Sequence, residues 1–311
     1  MVYIHTLKRI KMANIFIVGD GAIGLLYSHY LAQQHSVTLI SKQAQCGPRF
    51  YQQEQHAKQA INCRVINLAQ LTASSQIDTV IFTVKAHQVA NAFSQLKPFL
   101  STHCQVILSH NGMGNVDELN AELTQEQGLY FLTTRLAGYK NTPLSVLHTG
   151  MGGSVLGDCN SLAKVKLPDV THLLANIPTL TTTDNIQQLR FEKLLVNIAI
   201  NPLTALHDIK NGELRAPRFS RQIMNLLAEA CNIAKALGIK VNLAKALDSA
   251  YQVMTHTQAN YSSMHQDFHH QRETEVMAIC GYICQQGQKL NIDTPHNSAL
   301  LAAISGTKKR D

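Results

Sequence analysis

No apolar stretch in this sequence approaches the roughly 18–20 residues needed to cross a bilayer, so no transmembrane helix is expected. No C-x-x-C pair occurs. The seven cysteines, at 46, 63, 104, 159, 231, 280 and 284, are odd in number and scattered, which signals neither a disulfide framework nor a zinc finger. No H-E-x-x-H is present, so His265, His269 and His270 signal no metal site. Long runs of one charge are also missing. The formal net charge of +7 is spread along the chain, and its only basic run, Lys308-Lys309-Arg310, reads as a solvated tail rather than a nucleic-acid arm. Met1–Lys11 is basic, but only Ile15–Val18 follows before Gly19, too short for a signal-peptide core; Met12 would serve as an alternative start. The expectation is a cytoplasmic protein with neither membrane nor nucleic acid as partner. Its modest positive field favours an anionic cofactor or substrate.

What remains is a globular chain of 311 residues, 45% hydrophobic, long enough for about two domains. From Asn14 to about Leu180, short apolar runs (Ile15–Val18, Val37–Ser41, Val65–Leu68, Thr79–Val84, Val106–Ser109, Tyr130–Thr133) alternate with amphipathic segments such as Ile23–Gln33 and Gln88–Leu96. That alternation predicts a parallel sheet covered on both faces, with Gly150–Gly157 as an appended glycine-rich hairpin. After Asp184 the texture becomes helical: Phe191–Leu206, Arg218–Leu237 opened by Pro217 and closed by Gly238, Leu243–His256 and Glu273–Leu290. The expected domains are therefore 12–184 and 185–311, with a ligand cleft between them.

Gly19-Asp20-Gly21-Ala22-Ile23-Gly24 is a G-x-G-x-x-G that follows an apolar strand and opens a helix. In that context it predicts a Rossmann-type dinucleotide site. Gly19 allows the tight turn, Gly21 the approach of a pyrophosphate, Gly24 close helix–strand packing, and the helix N-terminus faces the phosphates. Asp20 is awkward beside a pyrophosphate: either it points into solvent or it lowers cofactor affinity. At the end of the second strand, where NAD sites place an acid for the ribose 2′-OH, Ser41 is followed by Lys42, which suits a 2′-phosphate and so NADP(H). Two later strand ends fit the same sheet edge: Lys85 in Val84-Lys85-Ala86-His87-Gln88, and Asn111 before Gly112-Met113-Gly114. Asn111 is placed either as a turn residue or as a ligand of the nicotinamide ribose or substrate.

In Glu192–Pro202, Lys193, Asn197 and Asn201 are spaced i, i+4, i+8 and share one helix face, whereas every other position from Leu194 to Ile200 is apolar. A single polar file in a buried helix points to a wet or ligand-filled cleft, because an unpaired buried amide costs roughly 1–3 kcal/mol. Pro202 is expected to break the helix, and carbonyls freed there are the structural alternative for the asparagines. Paired with a nicotinamide, a lysine ammonium can protonate the alkoxide left by hydride transfer and stabilise its developing charge. Domain closure would expel water and strengthen that interaction. Farther on, Ser263 offers a hydroxyl to a polar substrate, although Ser262-Ser263 also reads as a helix cap. Glu275, if near Lys193, would hold the ammonium charged.

These residues resemble ketopantoate reductase (2-dehydropantoate 2-reductase), the NADPH-dependent enzyme family of pantothenate biosynthesis. The resemblance runs over roughly residues 13–305. It rests on the glycine motif, Val84–Gln88, His110–Gly114, Lys193–Leu206 with its Asn-Pro-Leu-Thr-Ala-Leu, Asn211-Gly212-Glu213-Leu214, Ser262–Asp267 and Thr274-Glu275. It implies a Rossmann domain followed by an all-helical C-terminal domain. Lys193 is implied as proton donor. Asn197, Asn201, Asn211, Asn260 and Ser263 are implied as pantoate-binding residues, with Asn111 and Lys193 also touching substrate. Glu275 is implied as the active-site acid that also approaches the cofactor. Gly19–Gly24, Lys42, Lys85, Asn111 and Gly138 are implied as cofactor positions. Asp20 replaces a small neutral residue of the family, and Lys42 stands where an arginine is often found. The expected partner is a small-molecule 2-oxo acid; whether the chain acts as a monomer or a homodimer is not expressed in the sequence. The alternatives are an NADP-dependent dehydrogenase of another branched 2-oxo acid and an NADPH-binding sensor without catalysis.

Overall fold

The first apolar run becomes the central strand of a sheet. β1 (Asn14–Val18) buries Ile15 and Ile17, and α1 (Ala22–Leu31) follows it at once. The computed structural model describes residues 12–42, 47–54, 56–72 and 74–306; the basic leader and the Lys308–Arg310 tail fall outside them. The chain forms two compact units.

The sheet unit takes the described residues up to Val84 with Gln88–His110 and Val116–Ile186. After α1 come β2 (Ser36–Ile40), β3 (Arg49–Gln53), β4 (Gln59–Ile61), β5 (Cys63–Ile66), β6 (Ile77–Phe82), α2 (Ala86–Leu96), β7 (Leu100–Leu108), α3 (Val116–Glu122), β8 (Gly128–Thr142), β9 (Ser145–Asp158), α4 (Ser161–Leu173) and β10 (Leu180–Thr183). β5-β2-β1-β6-β7-β8 run parallel, which is the 3-2-1-4-5-6 order of a dinucleotide-binding sheet. Runs such as Val80–Phe82 and Val106–Leu108 are buried throughout, as strands covered on both faces must be. Strand order reverses at β1, between β2 and β6, so a ligand crevice is expected beyond their carboxyl ends.

Two sheet expectations change. Tyr130–Thr133 is the start of a much longer strand, β8. Gly150–Gly157 is no appended hairpin but one arm of the antiparallel β8–β9 ribbon, where Gly152 and Gly150 lie against Arg135 and Ala137 of the partner strand. The glycines serve close strand approach rather than a turn. β3, β4 and β10 had no clear apolar signal, being short and half-exposed.

The helical unit takes Lys85–His87, Asn111–Asn115 and the described residues from Gln187. Its helices are α5 (Ile186–His207), α6 (Pro217–Ala236), α7 (Leu243–His256), α8 (Ser263–His269), α9 (Tyr282–Leu290) and α10 (Pro295–Gly306), and none is long and apolar enough to cross a membrane. The helix expected from Glu273 begins only at Val276 and passes through a π-helical turn at Met277–Gly281 before α9. Glu229 on α6 holds the start of α10, accepting His296 N–H (2.7 Å), Asn297 N–H (2.9 Å) and Asn297 Nδ2 (2.8 Å). Glu229→Ala leaves these donors unpaired, so unfolding free energy should fall by about 1–3 kcal/mol. The check is a lower denaturant midpoint at unchanged slope.

Candidate active site

The glycine turn belongs to the sheet unit. Gly19 adopts φ +108°, a left-handed conformation that disfavours side chains, and its backbone N–H donates to Ile40 at the end of β2 (3.0 Å). A Cβ on Gly24 would strike the Gly19 carbonyl and come within 2.7 Å of Thr83 Oγ1, which itself donates to the Val18 and Gly19 carbonyls (3.0 Å each). A Cβ on Gly21 would meet nothing within 4 Å. Protein therefore fills the space at Gly19 and Gly24 and leaves it open at Gly21, which fits an approaching pyrophosphate. No acid occupies the first turn of α1, formed by Ala22, Ile23 and Gly24, so its positive end stays available to a phosphate.

Asp20 is not simply turned into solvent, its side chain being 16% exposed. Its Oδ2 accepts from Ser41 Oγ at 2.8 Å and lies 3.5 Å from Arg49 Nη2 and 3.8 Å from Lys140 Nζ. Lys140 Nζ also donates to the Asp20 carbonyl at 3.0 Å. Two cations thus compensate a charge that sequence spacing left unpartnered, because they arrive from β3 and β8, far along the chain. Lys42 follows Ser41 on the surface. Gly138 lies in β8 with the Leu147 carbonyl, Leu26 and Val146 around its Cβ position, so strand packing accounts for the glycine.

In the helical unit, α5 buries Leu194, Leu195, Ile198, Ala199 and Ile200, whereas Lys193 and Asn197 are half-buried and Asn201 is 9% exposed. The polar file predicted from spacing is present. The break at Pro202 is not, since α5 continues to His207 with the proline inside. An interior proline removes one backbone donor and crowds the carbonyl four residues back, a local cost, and the packed apolar face holds the helix through it. Thr204 Oγ1, rather than an asparagine, bonds the Ile200 and Asn201 carbonyls (2.9 and 3.0 Å).

Around Glu275 the unit gathers both strand-end segments. Asn111 Nδ2 donates to Glu275 Oε2 (3.2 Å), Lys85 Nζ pairs with Asp267 Oδ2 (2.8 Å) and donates to the Glu273 carbonyl (2.6 Å), and Arg272 Nε binds the other Asp267 oxygen (3.0 Å). Gly112, at φ +79°, lies against Ala278 of the π turn, and Met113 N–H donates to the Ala278 carbonyl (2.9 Å). Arg190 of α5 reaches the Gly112 and Gly114 carbonyls (3.4 and 3.5 Å). Burial pushes the Glu275 carboxyl above its ordinary range; the Asn111 amide, the Lys85 charge and the Ala86 N–H pull it back, and Asp267 pushes it up again.

The remaining positions lie at the start of α8 and the turn after α5. Ser262 is the cap, accepting from His265 N–H (3.0 Å) and bonded to Thr204 Oγ1 (2.7 Å), which leaves the exposed Ser263 hydroxyl outside the capping role. Buried Asn211 donates Nδ2 to Thr257 Oγ1 (2.9 Å) while its Oδ1 finds no partner among the described residues, and its N–H donates to the carbonyl of exposed Asn260 (3.0 Å). Arg49, Lys140 and Arg190 were missed by sequence reasoning, and no motif around them marks them.

Residues 15–161 match the family model described as ketopantoate reductase PanE/ApbA, and residues 185–308 match its C-terminal counterpart. The chain belongs to the ketopantoate reductase family. The 2-dehydropantoate 2-reductase of Vibrio cholerae is 39% identical over 94% of this chain and 96% of its own length. A probable 2-dehydropantoate 2-reductase of Bacillus subtilis, solved as a crystal structure, is 28% identical with a TM-score of 0.79 over 94% of this chain and 99% of that one. D-mandelate dehydrogenase with NADH and anilino(oxo)acetate gives a TM-score of 0.88 at 21% identity, over 95% and 98% of the two chains, a likeness of fold. Ketopantoate reductases are NADP-dependent oxidoreductases.

Proposed function

We propose that this chain reduces 2-dehydropantoate to (R)-pantoate with NADPH, with residues 12–184 holding the cofactor and 185–311 the substrate. Lys193 is the general acid. The observation that carries this reading is the file Lys193–Asn197–Asn201 on a helix whose Leu194, Leu195, Ile198, Ala199 and Ile200 are buried. NADPH supplies a hydride to the carbonyl carbon. The Lys193 ammonium first stabilises the negative charge growing on the carbonyl oxygen and then passes it a proton, leaving a neutral amine that solvent recharges. Asn197, Asn201, Asn211, Asn260 and Ser263 bind the hydroxyl and carboxylate of the substrate; the spare Asn211 Oδ1 supports that role. Asn111, Lys85 and Glu275 orient the nicotinamide end of the cofactor, with the pyrophosphate at Gly19–Gly24 and Lys42 near the 2′-phosphate. The scattered cysteines, odd in number, agree with a cytoplasmic setting.

The test is consumption of NADPH, then NADH, with ketopantoate and a panel of branched 2-oxo acids. A clear preference for ketopantoate with NADPH is expected. Faster turnover of another oxo acid, or NADPH binding without any turnover, sinks the assignment.

Glu275 adds a pH signature. As carboxylate it accepts the Asn111 N–H and balances the nearby cations, and burial raises the pH at which that form is lost. Activity should therefore fall on the acid side, at a pH above the usual glutamate range. Glu275→Gln should lower activity and abolish that limb; an unchanged acid limb in the variant argues against the role.

A further inference from the structure

We propose that Asp20, Arg49 and Lys140 form the element that selects the phosphorylated dinucleotide: Arg49 cancels the Asp20 charge from within the protein, and Lys140 is the cation offered to the ribose 2′-phosphate. The inference deepens the NADPH reading above and rests on it.

Position comes first. Val18 and Ile40 are parallel neighbours at the ends of β1 and β2, so Asp20 and Ser41 leave the sheet side by side, and Ser41 Oγ donates to Asp20 Oδ2 at 2.8 Å. That edge is where a dinucleotide-binding sheet meets the adenosine ribose. An acid there ordinarily accepts the 2′-OH of NADH and repels a 2′-phosphate. Here Oδ2 is turned to internal use by Ser41, Arg49 and Lys140.

Burial then divides the two cations. The Arg49 side chain is 0% exposed, and its Nη1 also donates to the Gly47 carbonyl at 2.9 Å, so it acts on Asp20 from behind and does not present itself to a ligand. The Lys140 side chain is 25% exposed, so solvent, and with it a ligand, can reach the ammonium. One carboxylate against two cations leaves a surplus positive charge, and Arg49 already covers the carboxylate. Burial pushes the Lys140 ammonium below its ordinary range, Asp20 pushes it back up, and Arg49 adds to the depression. A phosphate dianion would relieve that cost. Lys42 is exposed and brings only a point charge on a long side chain; Lys140 is held by its bond to the Asp20 carbonyl, so less freedom is lost when it grips a ligand.

Equilibrium binding of NADPH and of NADH, read by reduced-nicotinamide fluorescence without any oxo acid, tests this. Lys140→Gln should raise the NADPH Kd by about 10-fold or more, the usual effect of losing a charged hydrogen bond, and the NADH Kd by less than about 3-fold. Arg49→Gln removes the buried cation beside Asp20, leaving Lys140 to serve the carboxylate alone, and should weaken NADPH by about 10-fold, and adding Asp20→Asn should return it to within about 3-fold of the parent. Asp20→Asn alone should tighten NADPH and leave NADH unchanged. If Arg49→Gln does not fold, Lys140→Gln and Asp20→Asn decide the matter, with melting curves as control. Equal losses for both cofactors in Lys140→Gln, or weaker NADPH binding in Asp20→Asn, overturn the proposal. A parent protein that turns over ketopantoate but binds both cofactors alike also overturns it while leaving the reaction standing.

Discussion

Lys193→Ala should lower kcat for ketopantoate reduction by at least ~100-fold, the usual minimum for losing a general acid. Lys193 is half-buried on α5, and the buried Leu194, Leu195 and Ile198 hold the helix in the core without it. Alanine is also the best helix former, so melting temperature should hardly change. Cofactor binding is a second control: the glycine turn is built from β1, α1 and Thr83, and the NADPH Kd should stay at the parent value. Lys193→Arg keeps the positive charge with a group that does not give up its proton at neutral pH, so it should recover part of the oxyanion stabilisation and none of the proton transfer. An unchanged kcat in Lys193→Ala would refute the general-acid assignment whatever the other residues do.

The second large effect lies in the turn. Gly24→Val places a branched side chain where the Gly19 carbonyl and Thr83 Oγ1 already sit. Neither is the far end of a flexible side chain, so α1 itself must shift. Overpacking of this kind costs about 1–3 kcal/mol of stability. The shift also drags the amide groups of Ala22 and Ile23 away from a phosphate, so NADPH affinity should fall together with melting temperature. Gly21→Ala is the informative contrast, since its Cβ would enter open space. It should leave stability within about 0.5 kcal/mol, as substitutions free of steric conflict usually do, yet weaken NADPH by about 10-fold by blocking approach. Parallel loss of stability in both variants would mean that Gly21 is a packing residue.

Much of this architecture was legible in the chain. Apolar runs of four to six residues separated by amphipathic segments lead to a parallel sheet, because strands covered on both faces need continuous burial. The polar file on α5 followed from helical spacing alone. The glycine motif announced its turn because backbone conformation and close approach are local demands, met by residue type at fixed intervals. Periodicity failed where the cause was distant. The proline at 202 reads as a stop, yet burial of the helix face outweighs one missing hydrogen bond. The short strands β3, β4 and β10 carry weak patterns because pairing, rather than composition, makes them strands.

Local sequence, then, marked the residues proposed to carry chemistry: the glycines, the lysine and asparagines of one helix face, and the acid at 275. Tertiary structure alone decided who accompanies them. It brought Arg49 and Lys140 from separate strands to Asp20, and gathered Asn111, Lys85 and Asp267 around Glu275. The reason is physical: a turn or a helix face is set by neighbours within a few positions, whereas a charge is compensated through space, by groups whose meeting depends on strand order and packing.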